Sequence, residues 1–587
     1  MDYRRIGLFG AFAVASLYLV VQWKQTQDID ARALENAQES TMTDTSVNTS
    51  FTDNSGQDSQ TDINSEDGLV SNPTTSSTSP QVQDEPVITE NALIDIHTDL
   101  LSVKINSKNG DIVYTALNDY SVSLEHSDTP VTILNNTNNY LFVAQSYLRS
   151  SSNDVDASLF SAEKTTYNLE DGQDSLDVRL TYTGQSDLEL TKIYTFYKGK
   201  YIINVSYEVK NISDADVKVK LDNRLKRDDS PDPAQSTTAA SFVGFAFDNQ
   251  AEESIWDKYK FKDLAKESAK LPTKGAFSLN QTVTGGYVAF SQKYFVVAWI
   301  PNQNETQHQK MGLPKGYDYY FAINESEEFE LKPGATKTLS AKLWVGPELQ
   351  EQLDEYHEGL KHSVDYGMFY IFAKPIYWVL TKIQSFVPNW GLAIILLTLL
   401  VKFVFFPLSQ KSMKSMAKMK KLAPKMTQLR ERYGDDRQKM STELMKFYKK
   451  EGINPVSGCL PMLVQMPIWI SLYWVLIEAV EIRQMPFTLW IQDLSAADPL
   501  FIFPVLMGVS MYFQMKMTQS ANMDPMQQKI FKFMPIGMTL FFIIFGMPAG
   551  LMLYWTVNNI FTICQQYIVN KQIDREEALA KAEAAAK

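Results

Sequence analysis

The chain has 587 residues and a formal net charge of −13 at pH 7, which argues against a general nucleic-acid binder. Its 44% hydrophobic content is ordinary for a soluble protein, yet apolar runs crowd the first 25 residues and the last 220 while the middle is polar. Only two cysteines occur, Cys459 and Cys564, both in apolar runs, so a disulfide framework is not expected.

Tyr3 to Trp23 is an almost uncharged apolar run behind Arg4 and Arg5. No small-x-small cleavage site follows it, which favours a retained anchor (residues 1–24) over a cleaved signal peptide. The basic residues ahead of the run put the amino terminus in the cytoplasm. Residues 25–87 read as a disordered periplasmic linker. Ser40 to Pro86 is dominated by Ser, Thr, Asp, Asn and Gln and cannot bury enough surface to offset its ordering entropy.

From Ile88 the pattern turns to strands. Ile203, Val205, Tyr207 and Val209 alternate with polar residues, as do Val217, Val219 and Leu221, with a turn-like Asn211-Ile-Ser-Asp stretch between the two runs. Residues 88–347 suit one periplasmic antiparallel β-sandwich. The five histidines, His97, His126, His308, His357 and His362, make no metal-ligand spacing. The chain carries neither a G-x-S-x-G motif nor a P-loop, so no metal, cofactor or catalytic residue is expected.

Residues 348–388 are expected to form periplasmic amphipathic helices, because Tyr366 to Val387 is aromatic-rich but holds Lys374, Lys382 and Pro375. Trp390 to Leu408 is the second span. Gly458 to Ile477, Pro499 to Met515, Phe531 to Phe545 and Leu551 to Val569 follow, giving six spans with both termini inside. Residues 389–570 thus form a five-helix core, and 571–587 a cytoplasmic tail. Within the core, residues 409–455 hold thirteen Lys/Arg against five Asp/Glu. That stretch predicts a cytoplasmic helical hairpin. Met413, Met416, Met419, Leu422, Met426 and Leu429 share one helix face, and Met440, Leu444 and Phe447 line the second arm. Two readings stay open: the stripes bury each other, or flexible Met faces accept varied apolar partners. On the second, Met413, Met416, Met419, Lys420 and Lys421 contact the substrate or the ribosome.

Lys402 is the one ionisable residue away from the ends of the five carboxy-terminal spans. It lies about six residues from Leu408, roughly 9 Å of helix rise, so snorkelling stays open beside a functional role. Thr398 shares its helix face. Gln465, Asn558 and Asn559, with Gln565 and Gln566, add polar groups from other spans, which together suggest a hydrated concavity open to the cytoplasm. Each alone could be interhelical glue.

Several segments then become specific: Asn389-Trp-Gly, Phe406-Pro-Leu, Ser415-Met-Ala-Lys-Met, Asn454-Pro-Val-Ser-Gly-Cys459, Gln465-Met-Pro-Ile468, Asp524-Pro-Met-Gln-Gln-Lys529 and Pro548-Ala-Gly-Leu551. In that order they resemble the core of the YidC/Oxa/Alb membrane protein insertase family, and the anchor, linker and exported sandwich resemble its long Gram-negative form. The resemblance implies a non-enzymatic insertase and chaperone of the bacterial inner membrane. It moves hydrophobic segments of new proteins from cytoplasm to bilayer through a polar groove, alone or with the Sec translocon (SecYEG, SecDF). It implies a groove of Lys402, Thr398, Gln465, Tyr554, Trp555, Asn558 and Asn559, no nucleotide, lipid contact, a possible ribosome contact and a sufficient monomer. The family's groove charge is normally arginine and is lysine here; Trp555 stands where relatives often show tyrosine. A secondary transporter would need inverted repeats, which the sequence does not display. A mere anchor would need no polar set in its spans.

Overall fold

The computed structural model describes residues 93–151, 159–231, 242–249, 254–364, 366–433, 437–451, 460–518 and 525–586. The amino-terminal anchor, the linker and the Gly434-Asp435-Asp436 turn of the hairpin lie outside the described residues. Two compact units emerge: residues 93–120 with 130–346, and residues 121–129 with 347–586.

The first unit is built from the alternation read in the sequence. Ile203, Val205, Tyr207 and Val209 are all buried, and so are Val217, Val219 and Leu221. These two runs do not pair with each other. Ile202–Asn211 lies in a 9-stranded sheet between Leu188–Tyr197 and Thr336–Pro347, whereas Val217–Arg227 lies in an 11-stranded sheet between Tyr140–Ser150 and Tyr320–Ser326. The connection crosses from sheet to sheet, and Asn211 fixes it. Its amide donates to the carbonyls of Ala215 (2.7 Å) and Leu331 (2.8 Å) while its oxygen accepts from the Ser213 backbone N–H. Buried backbone carbonyls at such a crossing would otherwise lose their partners. Leu93–His97 pairs antiparallel with Leu101–Asn106, and that strand with Ile112–Ser121, whereas the short match of 95–97 with 166–168 is parallel.

Aromatic rings join the two sheets, as where Phe142 meets Phe290 at 4.8 Å. One buried lysine also spans them. Lys192 donates to the carbonyls of Gly110 and Ser146, both at 2.9 Å, and Tyr194 and Tyr207 donate to the same two carbonyls. Burial lowers the Lys192 pKa to about 7, with the nearby Asp111 carboxylate working against that fall. Helix α1 (Phe261–Ser268) packs on this unit through Leu264 and Phe261, whose ring meets Tyr320 at 4.8 Å.

The second unit is helical. After α2 (Gln350–Asp354) comes α3 (Tyr370–Phe386), which buries Ala373, Tyr377 and Leu380 at helical spacing and exposes Ile371, Phe372, Trp378 and Phe386. There follow α4 (Trp390–Val404), α5 (Phe406–Lys421), α6 (Ala423–Tyr433), α7 (Arg437–Lys450), α8 (Leu460–Glu478), α9 (Ile502–Thr518), α10 (Pro525–Ile544) and α11 (Ala549–Ala586).

Three sequence expectations change here. Trp390 to Leu408 is not one helix: the chain bends by 66° between α4 and α5. Pro407 at the start of α5 explains the break, since its ring clashes with a continuing helix and it has no N–H to give. The hairpin's first arm is likewise divided at Leu422, two residues before Pro424. The helix that carries the last predicted span does not stop at Val569, because α11 runs from Ala549 to Ala586, 38 residues in all. No single described helix is long and apolar enough to cross a membrane alone; α4 with most of α5 passes such a test as a bent pair.

A candidate intramembrane groove

One end of the helical unit is apolar and closed. Trp390, Ala393, Ile394 and Leu397 of α4 pack with Leu472, Val475 and Leu476 of α8 and with Leu551, Met552 and Tyr554 of α11. The segment between α8 and α9 folds over this end. Asn389 accepts from the Leu392 backbone and donates to the Phe487 carbonyl at 2.9 Å, capping α4 and tying down the segment together. Asp498 accepts from the indole of Trp490 and from the backbone of Leu500 and Phe503. Gly391 is required there, since a Cβ would stand 2.0 Å from the Phe487 ring. Tyr377 of α3, buried in the same apolar cluster, donates to Glu481 at 2.5 Å and so pins α3; burial pushes the Glu481 carboxyl above its usual range.

Beyond that apolar layer the helices turn polar. Lys402 is half-buried on α4, one turn past Thr398, and its amino group donates to Thr562 of α11 at 2.9 Å. Gln465 of α8 donates to the Tyr554 hydroxyl at 2.5 Å. Asn559 donates to Ser510 of α9 at 3.0 Å, and Ser409 of α5 donates to Gln565 at 3.1 Å. Four pairs thus link α11 to α4, α5, α8 and α9. Thr562 also donates to the Asn558 carbonyl at 2.7 Å, whereas the Asn558 side-chain oxygen is buried with no partner among the described residues. An unpaired buried acceptor in such a row fits a wet site.

The sequence-derived set comes together in part. Lys402, Gln465, Tyr554 and Asn559 each make a cross-helix bond. Thr398 does not: it is buried and its hydroxyl donates back to the Ile394 carbonyl. Trp555 is half-buried against Trp469 and Phe542, both at 5.1 Å. Thr562 and Ser510 were missed. Thr562 was within reach, because Tyr554, Asn558 and Thr562 are spaced by four on one helix face.

On the hairpin, Met413 is buried with Ala417 against Val569 and Ile573 of α11. Met416 and Met419 are half-buried, and Lys420 and Lys421 end α5. Large apolar side chains are exposed on the bundle: Leu396, Leu400 and Phe403 on α4, Val505 and Phe513 on α9, Phe533 and Leu540 on α10. Such faces suit lipid rather than water.

A helical bundle with an apolar exterior and a hydrogen-bonded polar row inside, in one chain with a two-sheet β unit, defines an integral membrane protein with a water-soluble domain. Residues 382–577 match the family described as 60Kd inner membrane protein, and residues 93–379 match the YidC periplasmic domain. The chain is 41% identical over 583 residues to the membrane protein insertase YidC of Marinomonas sp. (strain MWYL1), covering 98% of this chain and 100% of that one. It is 40% identical over 592 residues to the insertase YidC of Hahella chejuensis (strain KCTC 2396), covering 99% of each. The chain is also similar to a solved structure of an active YidC insertase, covering 82% of this chain and 93% of that one at 18% identity, with a TM-score of 0.35. The chain belongs to the YidC family of membrane protein insertases. It is a non-enzymatic inner-membrane insertase with a periplasmic β-rich domain, and the family implies nascent membrane proteins as substrates.

Proposed function

We propose that hydrophobic segments enter the bilayer through a groove centred on Lys402, bounded by Thr398, Gln465, Tyr554, Trp555, Asn558 and Asn559. The observation that supports it best is the bond from the Lys402 amino group to Thr562, which holds a cation inside a bundle whose outer faces are apolar. A charge there costs about 2.5–3.5 kcal/mol at the centre of a span, so it is expected to face a wet cavity. Lys402 transiently holds the polar region of a substrate while the apolar segment slides into lipid. Loss of water-exposed apolar area drives the step, at about 25 cal/mol per Å². The apolar layer around Leu397, Leu476 and Leu551 keeps the far side shut.

The remaining architecture follows the same reading: anchor 1–24, linker 25–87, periplasmic domain 88–347, surface helices 348–388, core 389–570 with hairpin 409–455, and tail 571–587. Six spans put both termini in the cytoplasm. Met416, Met419, Lys420 and Lys421 meet incoming chains first; Met413 joins them only when α5 leaves Val569 and Ile573. The protein works as a monomer, alone or beside the Sec translocon (SecYEG, SecDF), with ribosome and lipid contacts on the basic hairpin.

Photo-crosslinking from Lys402, Gln465 and Trp555 to a stalled nascent chain tests this. Adducts are expected at all three positions. Adducts at exposed Leu396 or Phe403 but at none of the three would show that substrates pass along the outside of the bundle.

A further inference from the structure

The face of the 11-stranded sheet turned away from its partner sheet carries a concentrated cationic cluster. Arg149 and Arg224 both donate to Asp222, Arg149 at 2.7 Å and Arg224 through two nitrogens. One strand over, Glu325 accepts from Lys310 at 3.1 Å and from Lys220 at 3.4 Å. Burial raises the Asp222 pKa, but the two guanidiniums outweigh it and hold the carboxyl at about 2. Asp222 is therefore ionised at neutral pH, and in this cluster four basic side chains meet two acidic ones.

The surplus is reachable. The Arg149, Lys220 and Lys310 side chains keep 28%, 30% and 31% of their exposure. Arg149 commits only its Nε, so its two terminal nitrogens have no partner among the described residues. Guanidinium donors fixed this way suit carboxylates, which they can grip with two parallel bonds.

The same chain supplies a matching polyanion. Residues 33–92 contain eleven Asp/Glu and not one Lys or Arg, while the whole chain is at −13. That segment joins the sheet at Leu93, and the strand register puts Leu93 in line with the cluster. Leu93 faces Asn106, the Asn106 N–H donates to the Asp111 carbonyl, Gln145 donates to the Asp111 carboxylate, and Gln145 faces Arg224. Four inter-strand steps separate Leu93 from Arg224, about 19 Å at ~4.8 Å each. Asp84 and Glu85 precede Leu93 by nine and eight residues. Eight extended residues reach roughly 26 Å. The Asp111 carboxylate on the way is occupied by Gln145, Tyr147 and Asn109.

We propose that the acidic segment preceding Leu93, led by Asp84 and Glu85, docks in cis on the Arg149–Arg224–Lys220–Lys310 face of the periplasmic domain. The face is then self-occupied, and an acidic partner chain must displace the segment to bind there.

The test uses the full-length protein in detergent, with the photo-crosslinker benzoylphenylalanine at Lys218, an exposed position on the same strand face as Lys220. Adducts to residues 81–92 of the same chain are expected, mapped by mass spectrometry. Raising the salt from about 0.05 M to about 0.5 M weakens them as exposed charges are screened. The double variant Asp84→Asn, Glu85→Gln changes only the linker ahead of residue 88; it is expected to cut the yield about five-fold, the equilibrium effect of losing exposed ion pairs. An unchanged yield in that variant overturns the proposal. So do adducts that go to a second copy or to another polypeptide.

Discussion

Replacing Lys402 with alanine separates a groove role from a purely structural one. The structural loss is small. Lys402 donates to Thr562, but the Thr562 hydroxyl keeps its own bond to the Asn558 carbonyl at 2.7 Å, so no donor is stranded by the change. Losing one half-exposed hydrogen bond costs about 1 kcal/mol of stability, and the protein is expected to accumulate normally. The functional loss is larger if Lys402 holds a substrate's polar end. A charge-assisted bond contributes about 1.5–3 kcal/mol, or roughly ten-fold or more in occupancy of the bound state. The partial exposure of the site argues for the low end. Insertion of small substrates with charged translocated tails is therefore expected to fall about ten-fold in Lys402→Ala and to stay within about two-fold in Lys402→Arg, which keeps the charge and adds donors. A depletion–rescue assay scoring substrate translocation at matched protein levels reads both. Equal rescue by Ala and wild type would refute the groove role.

Two further outcomes follow from the geometry. Lys192 has a folded-state pKa of about 7 against an ordinary 10.5, so between those values the unfolded chain binds more protons. Stability of the periplasmic domain should then rise with pH from about 7 to 10.5, by up to roughly 5 kcal/mol, and the whole gain is absent below pH 7. Lys192→Met should abolish that slope without stranding the Gly110 and Ser146 carbonyls, which keep Tyr194 and Tyr207 as donors; thermal melts of the full chain across pH check this, and a slope that survives in the variant counts against it. Gly391→Ala drives a methyl into the Phe487 ring and should destabilise by about 1–3 kcal/mol. Its melting temperature in detergent is expected to fall, and the addition of Phe487→Ala to relieve part of the clash; an unchanged melt would mean the segment over the closed end yields freely.

How much of this was legible from residues alone varied by element. Strand alternation located the buried face of Ile202–Asn211 because a pleated strand has a period of two and one face must be dry. It could not tell that the next strand lies in the other sheet, since that depends on where Asn211 sends its hydrogen bonds. Apolar run length placed both ends of α8 and α9 closely, but it began α10 at Phe531 instead of Pro525 and ended α11 at Val569 instead of Ala586. It read through Pro407, which breaks the chain between α4 and α5 where the apolar run continues unbroken. The spacing of Met413, Met416 and Met419 gave a helix face, but not that α11 extends far enough to cover Met413.

The candidate site divides in the same way. Lys402 stands out in the sequence because a lone charge in an apolar run is costly wherever it points. Its partner was not legible. Thr398 shares a helix face with Lys402 and looked like the neighbour that mattered, yet it bonds its own backbone, and the lysine crosses to Thr562, 160 residues away. The sequence by itself determined which residues are polar where lipid would exclude them, and the order of motifs that marks the family. Only the tertiary structure decided which of those polar groups meet, because a hydrogen bond needs atoms within about 3 Å and that distance is set by how helices far apart in the chain pack together.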